Sequence, residues 1–197
     1  MIQFDFLYYA LSTVLALSGW AKIVYDYVTA RPKIRGQIFQ VMTGQMPHPQ
    51  TGQKMTCFFP YLYLTNKRKS STYILDYELE IKIKKKWHKL LRVYGAHKMK
   101  DPQFLDRQGN PIEMKNFTDN LIYRKKAPVE FANPLHGWIM FAGEVSFYDM
   151  EIAKYKAICI DAFGRKHKVV TKPKRFANLF LLQDLAEISI PNTAMRK

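Results

Sequence analysis

Tyr77-Glu78-Leu79-Glu80-Ile81-Lys82-Ile83-Lys84 is the stretch that decides the fold class. Apolar side chains stand at every second position with charged ones between them, the period of a strand with one buried and one wet face. Short runs of the same kind recur along the chain. Trp87 to Tyr94 follows the lysine run 84–86. Gly36 to Thr43 carries Ile38, Phe39 and Val41 and meets a stop at Gly44. Thr56 to Thr65 is rich in aromatics, and its Pro60 lacks a ladder donor, which places this strand at a sheet edge or a bulge. Gly137 to Ala142 is apolar throughout and reads as a central strand. Tyr155 to Ala162, Phe163-Gly164-Arg165 and Lys166 to Thr171 read as a hairpin with glycine at the tight position. Turn residues separate the runs at Pro47-His48-Pro49, Asn66 to Ser71, Asp101-Pro102, Gly109-Asn110-Pro111 and Asn133-Pro134. The pattern predicts a mainly β chain, an antiparallel β-sandwich, with a partly open barrel as the alternative.

One local pattern carries a resemblance. Glu151-x-Ala153-x-Tyr155-x-Ala157 resembles the acid-x-Ala-x-Tyr-x-Cys pattern of immunoglobulin-type domains, in which the tyrosine forms a corner before a long strand. The resemblance spans seven residues and implies an Ig-like or fibronectin-like sandwich. Ala157 stands where the family has cysteine, so no inter-sheet disulfide is implied. Cys57 and Cys159 lie in apolar runs and read as buried, reduced thiols. The tail from Arg175 to Ile188 has Phe176, Leu179, Phe180, Leu182 and Leu185 near helical spacing, which predicts a short closing helix. A strand over Leu179 to Leu182 is the alternative.

The N-terminus is different in kind. Phe6 to Ala21 contains no charge, and apolar character resumes past Lys22 as far as Val28. As a helix, Phe6 to Val28 is about 34 Å long at about 1.5 Å per residue. A hydrocarbon core is about 30 Å thick. Lys22 lies close enough to the end to snorkel, and Tyr8, Tyr9, Trp20, Tyr25 and Tyr27 sit where interfacial rings belong. Residues 1–30 are therefore expected to be a single transmembrane anchor, 31–36 a basic juxtamembrane neck and 37–197 the sandwich. A buried core helix is the competing reading. A cleaved signal peptide fits poorly, because Met1 to Asp5 carries an acid and no base. Bases follow the helix and none precede it, which predicts an outside N-terminus and a cytoplasmic body. Ser12, Thr13, Ser18 and Gly19 are small enough to let two such helices pack. The Asn116-Phe117-Thr118 sequon bears on function only if the body is outside.

The chain has 31 Lys+Arg, 16 Asp+Glu and a net charge of +15. One lysine and two aspartates fall in the first thirty residues, so the remainder carries 30 bases against 14 acids. The bases cluster at Lys67-Arg68-Lys69, Lys84-Lys85-Lys86, Arg124-Lys125-Lys126, Arg165-Lys166 with Lys168, and Lys172-Lys174-Arg175. Arg31, Lys33 and Arg35 are the candidate contacts of the neck with lipid head groups. The three clusters at 67–69, 84–86 and 124–126 are candidates for an acidic protein partner or anionic lipid.

No P-loop, GxGxxG, HExxH, GxSxG or CxxC occurs. The five histidines show no metal-ligand spacing: His88 and His97 read as solvated, and His136 as the partner of a backbone group. Glu78 and Glu80 share a strand face with Lys82 and Lys84, which favours surface pairing with a neighbouring strand over acid–base chemistry. Neither a cofactor nor a metal is expected. The sequence thus points to a non-enzymatic, membrane-anchored accessory or adaptor protein, with membrane lipid and either a protein partner or a second copy as its contacts. One alternative is a membrane-tethered nucleic-acid binder using bases beside Trp87 and Tyr94, although alternation places those rings in the core. Another is an effector that perturbs membranes by helix self-association.

Overall fold

The computed structural model describes residues 2–48, 51–99, 101–105, 109–131, 133–172 and 188–189. Among the described residues one α-helix, α1 (Ile2–Ala30), precedes eleven strands. They are β1 (Ile34–Pro47), β2 (Lys54–Asn66), β3 (Ile74–Ile83), β4 (Lys86–Arg92), β5 (Gln103–Leu105), β6 (Pro111–Met114), β7 (Leu135–Trp138), β8 (Phe141–Gly143), β9 (Ile152–Asp161), β10 (Lys166–Thr171) and β11 (Ile188–Ser189). All the strand ladders are antiparallel. Their order is β10-β9-β3-β4-β8-β2-β1-β5-β6-β11, with β7 also paired to β2. The chain is therefore mainly antiparallel β with one N-terminal helix.

Two sheets face one another. β10, β9, β3 and β4 make one, and β8, β7, β2 and β1 make the other. Leu91 and Arg92 of β4 pair with Ala142 and Phe141 of β8 and close the sandwich along that side. On the other side β1 and β10 touch: a Cβ on Gly36 would lie 2.7 Å from Val169 Cγ2. The core between the sheets is what the alternation in β3 calls for. Tyr77, Leu79, Ile81 and Ile83 point inward with Ala157, Cys159 and Val169 and meet Ile38, Phe58, Leu62, Leu64, Ile139 and Phe141 from the opposite sheet.

β2 is not an edge strand. Phe58, Leu62 and Leu64 fill the first core, while Cys57, Phe59 and Tyr61 fill a second one with Met42, Phe104, Met114, Phe117, Trp138 and Met140. Pro60 is tolerated there for a local reason. Its carbonyl accepts from the Ile139 amide at 3.1 Å, and in an antiparallel ladder the N and the C=O of one residue face the same neighbour. The missing N–H therefore points at the break between β7 and β8, where the ladder is already interrupted. The bulge lies in the partner strand, where the register slips at Phe39.

Gly44 does not stop β1, which runs on to Pro47. It lies under Phe104, whose Cδ2 would be 2.0 Å from an added Cβ. The β9–β10 hairpin forms as expected, with Gly164 at φ +73°. Both cysteines are free and buried, and burial pushes each thiol up to about 12. The expected closing helix over 175–188 lies outside the described residues, apart from Ile188, which pairs with Met114 as part of β11.

From Ser12 onward, α1 does not pack as a core helix. Of its large apolar side chains from Val14 to Val28, the least exposed is Val28 at 47%. Among the described residues no helix is long and apolar enough to cross a membrane. The described side chains begin at Ser12, past the Phe6 to Leu11 part of the apolar run, and the spanning expectation for 1–30 gains no support from them. β1 starts at Ile34, so Arg35 and Gly36 are strand residues and only Arg31 to Lys33 bridge helix and sheet.

Candidate functional site

The helix meets the sandwich through a small set of polar contacts. Ile34 pairs with Asn66, so the start of β1 lies beside the end of β2. Asn66, 1% exposed, accepts from the Lys33 amide at 2.9 Å and from the Arg68 amide at 3.1 Å through its Oδ1. Its Nδ2 donates to the Ser70 carbonyl. The Lys67 amide donates to the Lys33 carbonyl at 3.0 Å. Arg68 then reaches across, its Nη1 donating to the Val28 carbonyl and, at 2.9 Å, to the Arg31 carbonyl. A cation on the last carbonyls of a helix satisfies acceptors that have no partner within the helix and opposes the dipole. Arg31 folds back over the Tyr27 ring, 4.0 Å from its centroid.

Two of the predicted clusters are thereby brought together. Arg31, Lys33 and Arg35 lie beside Lys67, Arg68 and Lys69 at the end of the sandwich where α1 leaves. Arg68 has a structural task, while Lys33, Arg35, Lys67 and Lys69 stay exposed.

The other clusters lie elsewhere. Lys84 and Lys85 form the β3–β4 turn and Lys86 opens β4, about 30 Å away along β3 at about 3.3 Å per strand residue. Lys84 sits at φ +53°. The sequence 124–126 runs past β7. Lys125 Nζ lies 3.5 Å from His136 Nδ1, which in turn is 2.7 Å from the Tyr61 hydroxyl. Burial, and then the Lys125 charge, lower the His136 pKa, and burial lowers that of Lys125. His136 is thus the partner of a buried tyrosine rather than of a backbone group. The small residues Ser12, Ser18 and Gly19 are on the exposed helix, and Ser18 Oγ donates to the Leu15 carbonyl at 2.8 Å.

The outer face of β3 is paired across strands. Lys89 meets Glu78 at 2.8 Å, and Lys156 meets Glu80. Trp87 lies on this face and not in the core, with Lys156 Nζ 4.3 Å from its ring centroid. Tyr94 is also outside, 64% exposed, with Arg92 stacked on it at 4.7 Å. Arg92 is ion-paired with Asp76 and flanked by Tyr77 and Tyr123 as well.

Sequence reasoning missed the part of the site that comes from distant loops. The Asn66 amide donates to the Glu130 carbonyl at 3.2 Å, and Thr72 and Val129 exchange backbone bonds. The Ala162 amide donates to the Tyr73 carbonyl at 2.9 Å. Loops 66–73, 129–131 and 161–165 therefore share the helix end of the sandwich. The last is shaped by Asp161, fully buried, whose Oδ1 accepts from the Phe163 and Arg165 amides, both at 2.9 Å. Its Oδ2 is 2.9 Å from His167 Nε2.

Burial works to raise the Asp161 pKa. The His167 contact and the two amides outweigh it and hold the carboxyl below the usual carboxylate range. A depressed carboxyl pKa stabilises the fold at pH values above the unfolded pKa and ceases to as pH falls through the folded one. The Tm difference between wild type and Asp161→Asn is expected to be widest near neutral pH and to close on acidification below about pH 4. A difference that grows on acidification refutes this.

No family model and no curated protein matches this chain. Among solved structures, one from Bacillus subtilis subsp. subtilis str. 168, described as a "putative lipoprotein (ycdA)", is similar at a TM-score of 0.43 and 8% identity. The match covers 74% of this chain and 39% of that one, so the chain spans about two-fifths of that protein, and a likeness of this size carries no argument about what the chain does.

Proposed function

We propose that the chain is a non-enzymatic, membrane-anchored adaptor whose basic sandwich is held at the cytoplasmic face to dock a protein partner. The observation that carries this is the state of α1. A helix whose large apolar side chains stand exposed needs a nonaqueous cover. From Val14 to Val28 its large apolar side chains are 47% to 68% exposed, and the strands have full cores of their own. Together with Phe6 to Leu11 in the sequence, the apolar length suits a bilayer. The bases at its C-terminal end favour an inside body.

The body reads as an Ig-like sandwich. The order β10-β9-β3-β4 parallels strands G-F-C-C′, β1-β2-β7 parallels A-B-E, and Tyr155 stands near the start of the F equivalent.

Alkaline carbonate extraction and protease accessibility of a C-terminal tag test the reading. The full chain is expected in the carbonate-resistant pellet, with the tag cut only in inside-out vesicles. A Leu15→Lys/Leu17→Lys variant is expected to be released. Release of the wild-type chain overturns the anchor, and cleavage from outside overturns the topology.

A further inference from the structure

We propose that the end of the sandwich from which α1 leaves is a lipid-contact surface, in which Tyr73, Phe131 and Phe163 enter the headgroup layer and Lys67, Lys69 and Arg165 pair with anionic lipid. This rests on the anchor reading above and adds which surface of the body meets the bilayer, and how.

Three large rings are exposed at this end, Tyr73 at 52%, Phe131 at 66% and Phe163 at 66%. They come from three loops far apart in sequence, and backbone hydrogen bonds join those loops: Ala162 to Tyr73, Thr72 to Val129 and Asn66 to Glu130. A single exposed ring is ordinary, but three on one tied set of loops beside a helix exit form a patch. Bases surround it. Lys67 and Lys69 are exposed on the loop whose Arg68 holds the helix end, and Arg165 lies over the Phe163 ring at 5.2 Å. The carboxylate of Asp161 is committed to the hairpin turn and to His167, and Glu130, next to Phe131, is half-buried.

Aromatic rings with bases behind them match the interfacial zone of a bilayer, where rings lose water and cations meet phosphate. The occupant follows from connectivity. The helix C-terminus is fixed to loop 66–70 by Arg68 and Asn66, so a bilayer holding α1 begins at this end of the sandwich. The basic turn at 84–86 lies at the far end and is expected to stay in water.

The test uses the full chain reconstituted in vesicles of phosphatidylcholine with phosphatidylserine. Phe163→Cys or Lys85→Cys carries an environment-sensitive fluorophore, and spin-labelled lipids act as quencher. Both native thiols are buried with their pKa pushed up to about 12, so the introduced cysteine is the one labelled. The probe at 163 is expected to be quenched at least about threefold more than the probe at 85, and Lys67→Glu/Lys69→Glu to reduce that ratio markedly.

Equal quenching at 163 and 85 in vesicles that still float with the protein overturns the lipid-contact surface and leaves the anchor standing. Protein that does not float overturns both. A 163 probe shielded in detergent as protein concentration rises, but not quenched by lipid, assigns the patch to a second copy and overturns the proposal.

Discussion

Gly137→Ala is expected to lower stability by about 3–5 kcal/mol, a fall in Tm of about 10–15 °C for a body of this size. Gly137 sits in β7 at φ +152°, where an L side chain is strained whatever the space around it. There is also no space. An added Cβ would lie 2.4 Å from the Asn120 carbonyl oxygen and 2.8 Å from the Ile122 amide nitrogen. Both are backbone atoms, so no rotamer change relieves the clash. The Asn120 carbonyl also accepts from the Trp138 amide at 2.8 Å, and Leu121 bridges to Trp138. Moving segment 120–122 away would therefore pull on Trp138, which fills the second core against Tyr61. Thermal unfolding in detergent measures the effect. A Tm within about 2 °C of wild type would mean that this segment yields far more easily than a packed interior does.

Asn66→Ala is expected to cost about 2–4 kcal/mol, because a buried amide side chain serves two N–H donors and one carbonyl at once. Alanine would strand the Lys33 and Arg68 amides and the Ser70 carbonyl together. The effect should be local as well as global. The bond from Lys33 to Asn66 and that from Lys67 to Lys33 hold the segment between α1 and β1 against the sandwich. Without Asn66, trypsin is expected to cut after Lys33 at least about tenfold faster at a temperature where the sandwich remains folded, since about 1.4 kcal/mol of local opening gives a factor of ten. Asn66→Asp keeps the acceptor beside the two amides and should recover part of the protection. Unchanged cleavage in the alanine variant would show that Arg68 alone holds the junction.

Several of the strands were legible because their partners leave a periodic trace. The alternation from Tyr77 to Lys84 reports one buried face, and β3 buries that face. The hairpin at 155–171 announced itself by Gly164 between two apolar runs. The reduced, buried cysteines followed from their apolar surroundings. β2 was harder. A strand buried on both faces has no alternation to read, and Pro60 argued for an edge. The proline is compatible with a central strand only because its neighbour breaks at Ile139 and Met140, which no local sequence signal records. Gly44 looked like a terminator for a similar reason. Its role is to let Phe104, sixty residues on, lie flat against β1 and stack on Phe59 at 4.9 Å. Alternation places Trp87 and Tyr94 inward, but both face outward beside Lys156 and Arg92.

The sequence by itself determined the division of this protein into an apolar helix and a basic β body, because periodicity and charge are local properties of the chain. It also determined that Glu78 and Glu80 would pair across strands, since both lie on a wet face beside lysines. Tertiary structure alone decided which bases lie together. Lys67 and Lys33 are neighbours, and Lys84 is remote from both, because the β1–β2 register brings residue 34 to residue 66 while β3 carries the chain to the far end. It alone placed Tyr73, Phe131 and Phe163 on one rim. Strand pairing juxtaposes loops whatever their distance in sequence, and the hydrogen bonds that join these loops run between backbone groups that every residue carries.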